Sequence, residues 1–164
     1  MVLTIQNRQR NLRIDVPALR RLCLCLYALA CNERRTRLPS TALDCLRLQS
    51  TNLTLCSDTL ITRVHTAVFN DPTTTDVITI PYAPTPTSDA TAEIFVNTRL
   101  ARDSATEHNI PPSRELALYI AHAFDHLAGY DDRLPRSRDA MRRRELSWLD
   151  ACESQGLLDF LRKI

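Results

Sequence analysis

Short stretches in which apolar residues alternate with polar ones, or directly follow one another, predict four β-strands. They lie within 2–14, at 53–55, over 77–80 and over 94–96. Pro81 is expected to end the third strand, because proline has no N–H to donate to a strand ladder. Four strands of this length are enough for one small sheet.

Apolar residues that recur every three or four positions predict five helices. Asp15 is placed to cap the first helix, and Pro17 lies in its first turn. The predicted helices cover 16 to about 32, 58–69, 98–107, 113–128 and 137–154, with a last turn at 157–161. We expect loops at 34–40 and 83–90, and the segment 42–48 is ambiguous. Because helices and strands are interspersed without a βαβ rhythm, we expect one α+β domain over the 164 residues, with a small mixed sheet of about four strands packed with helices.

The apolar segment 22–31 follows Arg20 and Arg21 and could serve as the core of a signal peptide. It begins more than 20 residues into the chain, however, and the charged run 33–35 stands where a cleavage site would lie. The segment is also too short to span a membrane. We therefore expect a buried amphipathic helix in a cytoplasmic protein.

The cysteines and the charged residues narrow the class of protein only slightly. No cysteine forms a C-x-x-C pair, so we expect buried, reduced thiols in a cytosolic chain. The net charge is +2, and all but one of the 21 basic residues are arginine, the exception being Lys163. Arginine binds phosphate through two parallel hydrogen bonds, which suits a nucleic-acid substrate. A codon bias toward arginine explains the same composition, and we favour that explanation. The six cysteines are Cys23, Cys25, Cys31, Cys45, Cys56 and Cys152.

The strongest chemical signal is a pair of histidines near the end of the fourth predicted helix. His122 and His126 are four residues apart and therefore lie on one face of that helix. Gly129 lets the chain reverse, which brings Asp131 and Asp132 back toward that face. Two histidines and one carboxylate are typical of catalytic zinc, with one position left for a water whose pKa the metal lowers. The alternative is a surface histidine pair followed by a solvated turn.

Two other carboxylates lie near the histidines in the sequence. Glu115 falls on the histidine side of the helix about two turns earlier, where it could support the metal or act as a base. Asp125 precedes the second histidine and could be a base or be exposed to solvent, and we expect it to be exposed. The chain has no H-E-x-x-H motif, so the usual base of a metalloprotease is absent.

The segment 122–132 (HAFDHLAGYDD) resembles the signature H-G-x-L-H-L-x-G-Y-D-H of the YbeY family, the bacterial rRNA maturation factors and single-strand endoribonucleases. Upstream, 75–81 (TDVITIP) is similar to the family's T-D-V-L-S-F-P, and 92–96 (AEIFV) to its G-D-I-V-I strand. The order of elements also agrees, so the resemblance covers most of the chain.

The resemblance implies an α+β fold with the metal motif on a central helix. It also implies a metal-dependent hydrolase that cuts single-stranded RNA in rRNA maturation, ribosome biogenesis and quality control, with the small ribosomal subunit as partner. The family binds zinc through three histidines, one ion per chain, and His122 and His126 match the first two. Asp132 stands in place of the third, so another divalent metal is also conceivable. Asp131 matches an aspartate that is not a ligand, and we expect it to support the ligands.

Other departures concern RNA. Where the family has an asparagine and a Tyr-Arg pair before T-D-V, this chain has His65, Val68 and Phe69. Phe69 could offer a surface for base stacking or be buried in the core, and we expect it to be buried. Asp76 is expected near the metal helix, as a structural or cleft-wall group. The acidic run that usually follows the motif is replaced by arginines, which could bind RNA or form a solvated helix face; they are Arg133, Arg136, Arg138 and Arg142 to Arg144.

These departures keep two alternatives to the endoribonuclease open. One is a ribosome-binding or RNA-binding factor with weakened catalysis on the same fold. The other is a metal hydrolase with a different substrate, such as a peptide.

Overall fold

The computed structural model describes residues 1–37 and 48–162, including the side chains of all but 34–37. Its strands are β1 (Val2–Asn7), β2 (Leu48–Cys56), β3 (Val77–Tyr82) and β4 (Ala90–Asn97). Its helices are α1 (Val16–Arg37), α2 (Asp58–Phe69), α3 (Thr98–His108), α4 (Pro112–Leu127) and α5 (Pro135–Glu153). Within the described residues, the predicted α+β domain with a four-stranded mixed sheet is confirmed.

The sheet has the strand order β1-β2-β4-β3. Strand β2 pairs in parallel with both β1 and β4, whereas β3 pairs with β4 in the antiparallel sense. Pro81 does not end β3, which continues to Tyr82. Because β3 is an edge strand, the missing N–H of the proline costs no ladder bond on its open side.

Several predicted boundaries are wrong for local reasons. Strand β1 ends at Asn7 rather than near Ile14, because the Gln9 side chain folds the chain into a turn by accepting bonds from the amides of Asn11 (2.8 Å) and Leu12 (2.9 Å). Helix α1 continues to Arg37, so the loop predicted at 34–40 is wrong over 34–37. Residues 38–47, which include most of the ambiguous segment, lie outside the described residues.

Helices α4 and α5 begin slightly earlier than predicted. Each starts at a proline, Pro112 and Pro135, rather than at the serines that follow. A proline fits the first turn because its fixed φ is helical and its missing N–H has no partner there in any helix.

Helix α4 is the central helix of the fold. It packs against β3, α1, α3 and α5, and its apolar residues, among them Leu116, Ile120 and Leu127, are buried in the main core. Contacts on so many sides leave little of its surface for solvent. Polar side chains near its end must therefore find partners within the protein.

Helix α2 covers the opposite face of the sheet. On β4, Ile94 and Val96 belong to the main core, whereas Phe95 packs with a small second cluster formed by Ile61 and Ile78 with Cys56. Alternate side chains of a strand point to opposite faces, so α2 lies across the sheet from α4.

Four described cysteines are buried free thiols, as expected, namely Cys23, Cys31, Cys56 and Cys152, whereas the free thiol of Cys25 is only half-buried. Cys45 lies outside the described residues. No helix in the described part of the chain is both long and apolar enough to cross a membrane.

Candidate metal centre

Three side chains meet at the C-terminal end of α4. The Nε2 atoms of His122 and His126 are 3.0 Å apart, and Asp132 Oδ2 lies 3.8 Å from His122 Nε2. One ligand atom from each residue lies within 4.8 Å of the others. Gly129, at φ 93°, turns the chain after the helix and so brings the aspartate back to the histidines. The structure therefore brings together the three residues that the sequence indicated.

The other ring nitrogen of each histidine is already bonded. His126 Nδ1 lies 3.0 Å from the Tyr130 carbonyl oxygen, and His122 Nδ1 lies 2.6 Å from Glu145 Oε1. A carbonyl or carboxylate oxygen accepts, so each Nδ1 carries the hydrogen and donates it. In the neutral rings both Nε2 atoms then present lone pairs. An acceptor behind the imidazole is the usual way in which proteins orient a metal-binding histidine.

This geometry fits a bound cation. Two lone pairs that face each other at 3.0 Å repel unless a proton or a metal lies between them. Two nitrogens bound to one zinc ion at about 2.0–2.1 Å in a tetrahedral arrangement lie about 3.3 Å apart, close to the spacing here. The half-buried carboxylate of Asp132 completes a donor set of two nitrogens and one oxygen.

The charges around His122 favour a positive charge at this position. Burial lowers the pKa of His122, but the hydrogen bond and charge of Glu145, with the charges of Asp76 and Asp132, outweigh burial and leave the pKa above its usual value of 6.5. The same negative potential favours a metal ion.

Asp125 is buried, so the expectation that it is exposed is wrong. Its two oxygens accept hydrogen bonds from Arg144 at 2.9 and 2.7 Å. Burial raises the pKa of Asp125 to about 6, although the arginine opposes the shift. Arg144 also lies over the ring of Tyr130, 3.6 Å from its centroid. The Tyr130 carbonyl orients His126, so the ion pair of Asp125 with Arg144 helps to position His126 by holding Tyr130. Because Arg144 is engaged in this buried pair, it is not available to bind RNA.

The remaining carboxylates have separate roles. Glu115 is buried and accepts a hydrogen bond from Ser104 of α3 at 2.8 Å, so its contact joins two helices. Asp131 pairs with Arg133 at 2.8 Å and accepts a bond from the amide of that residue.

Two cavities meet at the metal centre. The first has a volume of about 560 Å³ and includes His126, and the second has about 320 Å³ and includes His122. Asp132 lines both cavities. Asp76 lies in the wall of the second, which confirms that the start of β3 lies close to the metal helix.

Two of the three arginines at 133–138 that are predicted to contact RNA line these cavities. Arg133 lines the first, Arg138 lines the second, and Arg136 is exposed but lines neither. Phe69, expected in the core, is 55% exposed and lines the first cavity. That expectation is therefore wrong, because α2 buries only its opposite side against the sheet.

The contact of Glu145 with His122 was not predicted from the sequence. Its side chain is only 2% exposed and lies on the face of α5 that also buries Met141, Trp148 and Leu149. A glutamate at an apolar position of an amphipathic helix was the available signal, since buried carboxylates require a partner.

Comparison with known proteins identifies the family of this chain. The family described as Endoribonuclease YbeY matches residues 4–153. An Endoribonuclease YbeY of Chlamydia abortus is 26% identical over 151 residues, which cover 86% of this chain and 84% of that protein. An Endoribonuclease YbeY of Rhodopirellula baltica is 33% identical over 100 residues, which cover 60% of this chain. These residues span only about half, 51%, of the length of that protein.

A solved structure shares the fold. The solution structure of TM1509 from Thermotoga maritima matches with a TM-score of 0.56 at 18% identity and covers 96% of both chains. The family match spans nearly the whole chain and includes all three residues of the metal centre. This chain belongs to the Endoribonuclease YbeY family.

Proposed function

We propose that this chain is a metal-dependent endoribonuclease that cuts single-stranded RNA in ribosomal RNA maturation and ribosome quality control, on RNA of the small subunit. The observation that carries the proposal is the convergence of His122, His126 and Asp132 where two open cavities meet. Family membership supports the endoribonuclease role.

The ion we propose is zinc, one per chain, because two imidazoles and one carboxylate leave a fourth position for water or substrate. Such an ion polarises a phosphoryl oxygen and lowers the pKa of water toward neutrality. The protein's own contribution is to fix the ligands. Glu145 and the Tyr130 carbonyl hold the two imidazoles in the tautomer that binds a cation.

The two cavities give the RNA strand a path across the metal centre. Arg138 in the second cavity and Arg133 in the first are placed to neutralise phosphates on either side of the cut. These arginines take over the charge that the family's arginine would supply at the position of Phe69.

The direct test is cleavage of an end-labelled oligoribonucleotide, offered as a single strand and in a duplex. We expect the wild type to cut the single strand, to lose activity on chelation and to regain it with zinc. His122→Ala should be inactive. The matched control is His108→Ala, which should remain active. In the wild type the His108 ring contacts Ser104, within α3. Activity that persists in His122→Ala, or no cleavage by the metal-loaded wild type, would overturn the proposal.

A second function, RNA binding with weakened catalysis, is supported by Asp132 and Phe69, which replace the family's histidine and arginine. Metal-loaded protein that binds RNA or small ribosomal subunits without cutting RNA would establish this alternative instead.

A further inference from the structure

Helix α2 ends in two aromatic side chains that the core does not use. Phe69 is 55% exposed, and its ring centroid lies 5.3 Å from that of His65, one turn earlier, with 58° between the ring planes. The small core under α2 is filled instead by Ile61 with Leu60 and Val64. Folding therefore does not explain an exposed phenylalanine beside a histidine.

His65 is held in one orientation. Its Nδ1 lies 2.9 Å from the Thr73 carbonyl oxygen, which can only accept, so Nδ1 carries the hydrogen. The imidazole is thus a fixed flat ring whose Nε2, in the neutral form, accepts hydrogen bonds. A rigid ring loses little conformational entropy when it contacts a ligand.

Both rings line the same cavity as the metal ligands His126 and Asp132. Strand β3 forms another wall, in which the hydroxyl of Thr79 has no hydrogen-bond partner among the described residues. The cavity, about 560 Å³, lies within the range of roughly 300–1,000 Å³ that is usual for small-molecule sites. It therefore places aromatic side chains in the same cavity as two of the candidate metal ligands.

We propose that Phe69, with the tilted ring of His65 beside it, forms an aromatic platform where a nucleobase of the RNA stacks on the Phe69 ring, next to the phosphodiester at the metal centre. This inference rests on the proposed function and specifies how the substrate is held. Aromatic side chains stack on any base and need no charge, so the platform replaces a phosphate contact with a base contact. The larger rings of purines give the larger stacking area, so a purine is the preferred base at this position.

The test uses a single-stranded oligoribonucleotide with 2-aminopurine at one position, moved along the strand in a series of oligonucleotides. Stacking on the platform should quench the fluorescence at one position in the wild type and in Phe69→Trp, but not in Phe69→Ala. We expect Phe69→Ala to bind the RNA about fivefold to a hundredfold more weakly, the usual range for the loss of one stacked base. An abasic residue at that position should weaken binding to the wild type but not to Phe69→Ala.

Two variants serve as matched controls. Val68 is 47% exposed on the same helix, and Tyr82 is a 47% exposed aromatic residue, and neither lines the cavity. Val68→Ala and Tyr82→Ala should bind as the wild type does. If Phe69→Ala matches these controls while the wild type binds and cuts RNA, the platform alone is wrong. If the metal-loaded wild type does not cut RNA, both the proposed function and the proposed platform are wrong.

Discussion

At the scale of single residues, each histidine of the candidate metal centre is oriented by a different part of the chain. The acceptor for His126 is the carbonyl of Tyr130, four residues later, whereas the acceptor for His122 is Glu145, on another helix. The first contact follows from the local turn at Gly129. The second depends on how α4 and α5 pack, and it is the contact that is easiest to change without altering the ligands.

Glu145→Gln should keep the hydrogen bond to His122, because the amide oxygen still accepts, but it removes a buried negative charge. We expect metal affinity to fall about 10- to 100-fold, as is usual when the partner of a metal-binding histidine is altered. Competition with a chelating dye measures the affinity. Glu153→Gln, on an exposed part of the same helix, is the control, and equal affinities in the two variants would contradict the assigned role of Glu145.

The raised pKa of His122 predicts a pH dependence in the metal-free protein. A folded-state pKa above 6.5 means that His122 adds stability that is fully present below that pH and is lost as the pH rises through the folded-state value. In the presence of a chelator, the difference in the free energy of unfolding between the wild type and His122→Gln should therefore be largest below pH 6.5 and shrink as the pH rises through the folded-state pKa. Urea titrations at several pH values measure it, and a difference that grows with pH would show the sign to be wrong.

The proximity of the three candidate ligands could be predicted from sequence because their geometry is local. A spacing of four on a helix and a glycine at its end suffice to bring His122, His126 and Asp132 together. Glu145 and the exposure of Phe69 could not be predicted in this way. Both depend on which side of a helix faces a neighbour that is distant in the sequence.

At the scale of secondary-structure elements, α4 and α5 are joined by a buried ion pair, Asp125 with Arg144, and by an exposed cluster in which Arg114 contacts both Asp150 and Glu153. Asp125 and Arg144 are 0% and 11% exposed, whereas Arg114 and Asp150 are 25% and 68% exposed. Asp125 was expected to be exposed because the helical pattern shows one apolar face and cannot show that helices cover the other faces too. The two pairs allow a matched comparison.

Asp125→Ala leaves the Arg144 guanidinium buried without its carboxylate. We expect a loss of about 3–5 kcal/mol in the free energy of unfolding, the usual cost of breaking a buried pair. Asp150→Ala removes one of the two exposed carboxylates that Arg114 contacts across the same two helices and should cost about 0–1 kcal/mol. Urea denaturation at pH 7.5, above the raised pKa of Asp125, measures both. Similar losses in the two variants would show that the buried pair does not stabilise the helix packing.

At the scale of the whole molecule, the strand order brings the start of β3 beside the metal helix. The periodicity of the sequence predicted four strands, but periodicity does not specify which strands are neighbours in the sheet. The parallel pairing of β2 with β1 follows the connection through α1, and its parallel pairing with β4 follows the connection through α2 and β3. The two cavities form because this strand order places β3 beside α4. In the sequence, only the resemblance of 75–81 to the family motif indicated a cleft at this position.

The position of the arginines relative to the cavities predicts different effects on RNA binding. Arg138 lines the second cavity with His122, whereas Arg136 lines neither cavity. Arg138→Ala should lower the slope of log affinity against log salt concentration by about one unit if it contacts one phosphate. Arg136→Ala should leave the slope unchanged. Equal slopes for Arg138→Ala and the wild type would show that the RNA does not pass through the second cavity.

The central claim, that His122, His126 and Asp132 bind one catalytic metal ion, is tested most directly by metal analysis of purified, dialysed protein. We expect about one divalent ion per chain in the wild type and in His108→Ala, and a loss of that ion in both His126→Ala and Asp132→Ala. Each variant should be shown to be folded by circular dichroism. Unchanged metal content in His126→Ala and Asp132→Ala would contradict the account.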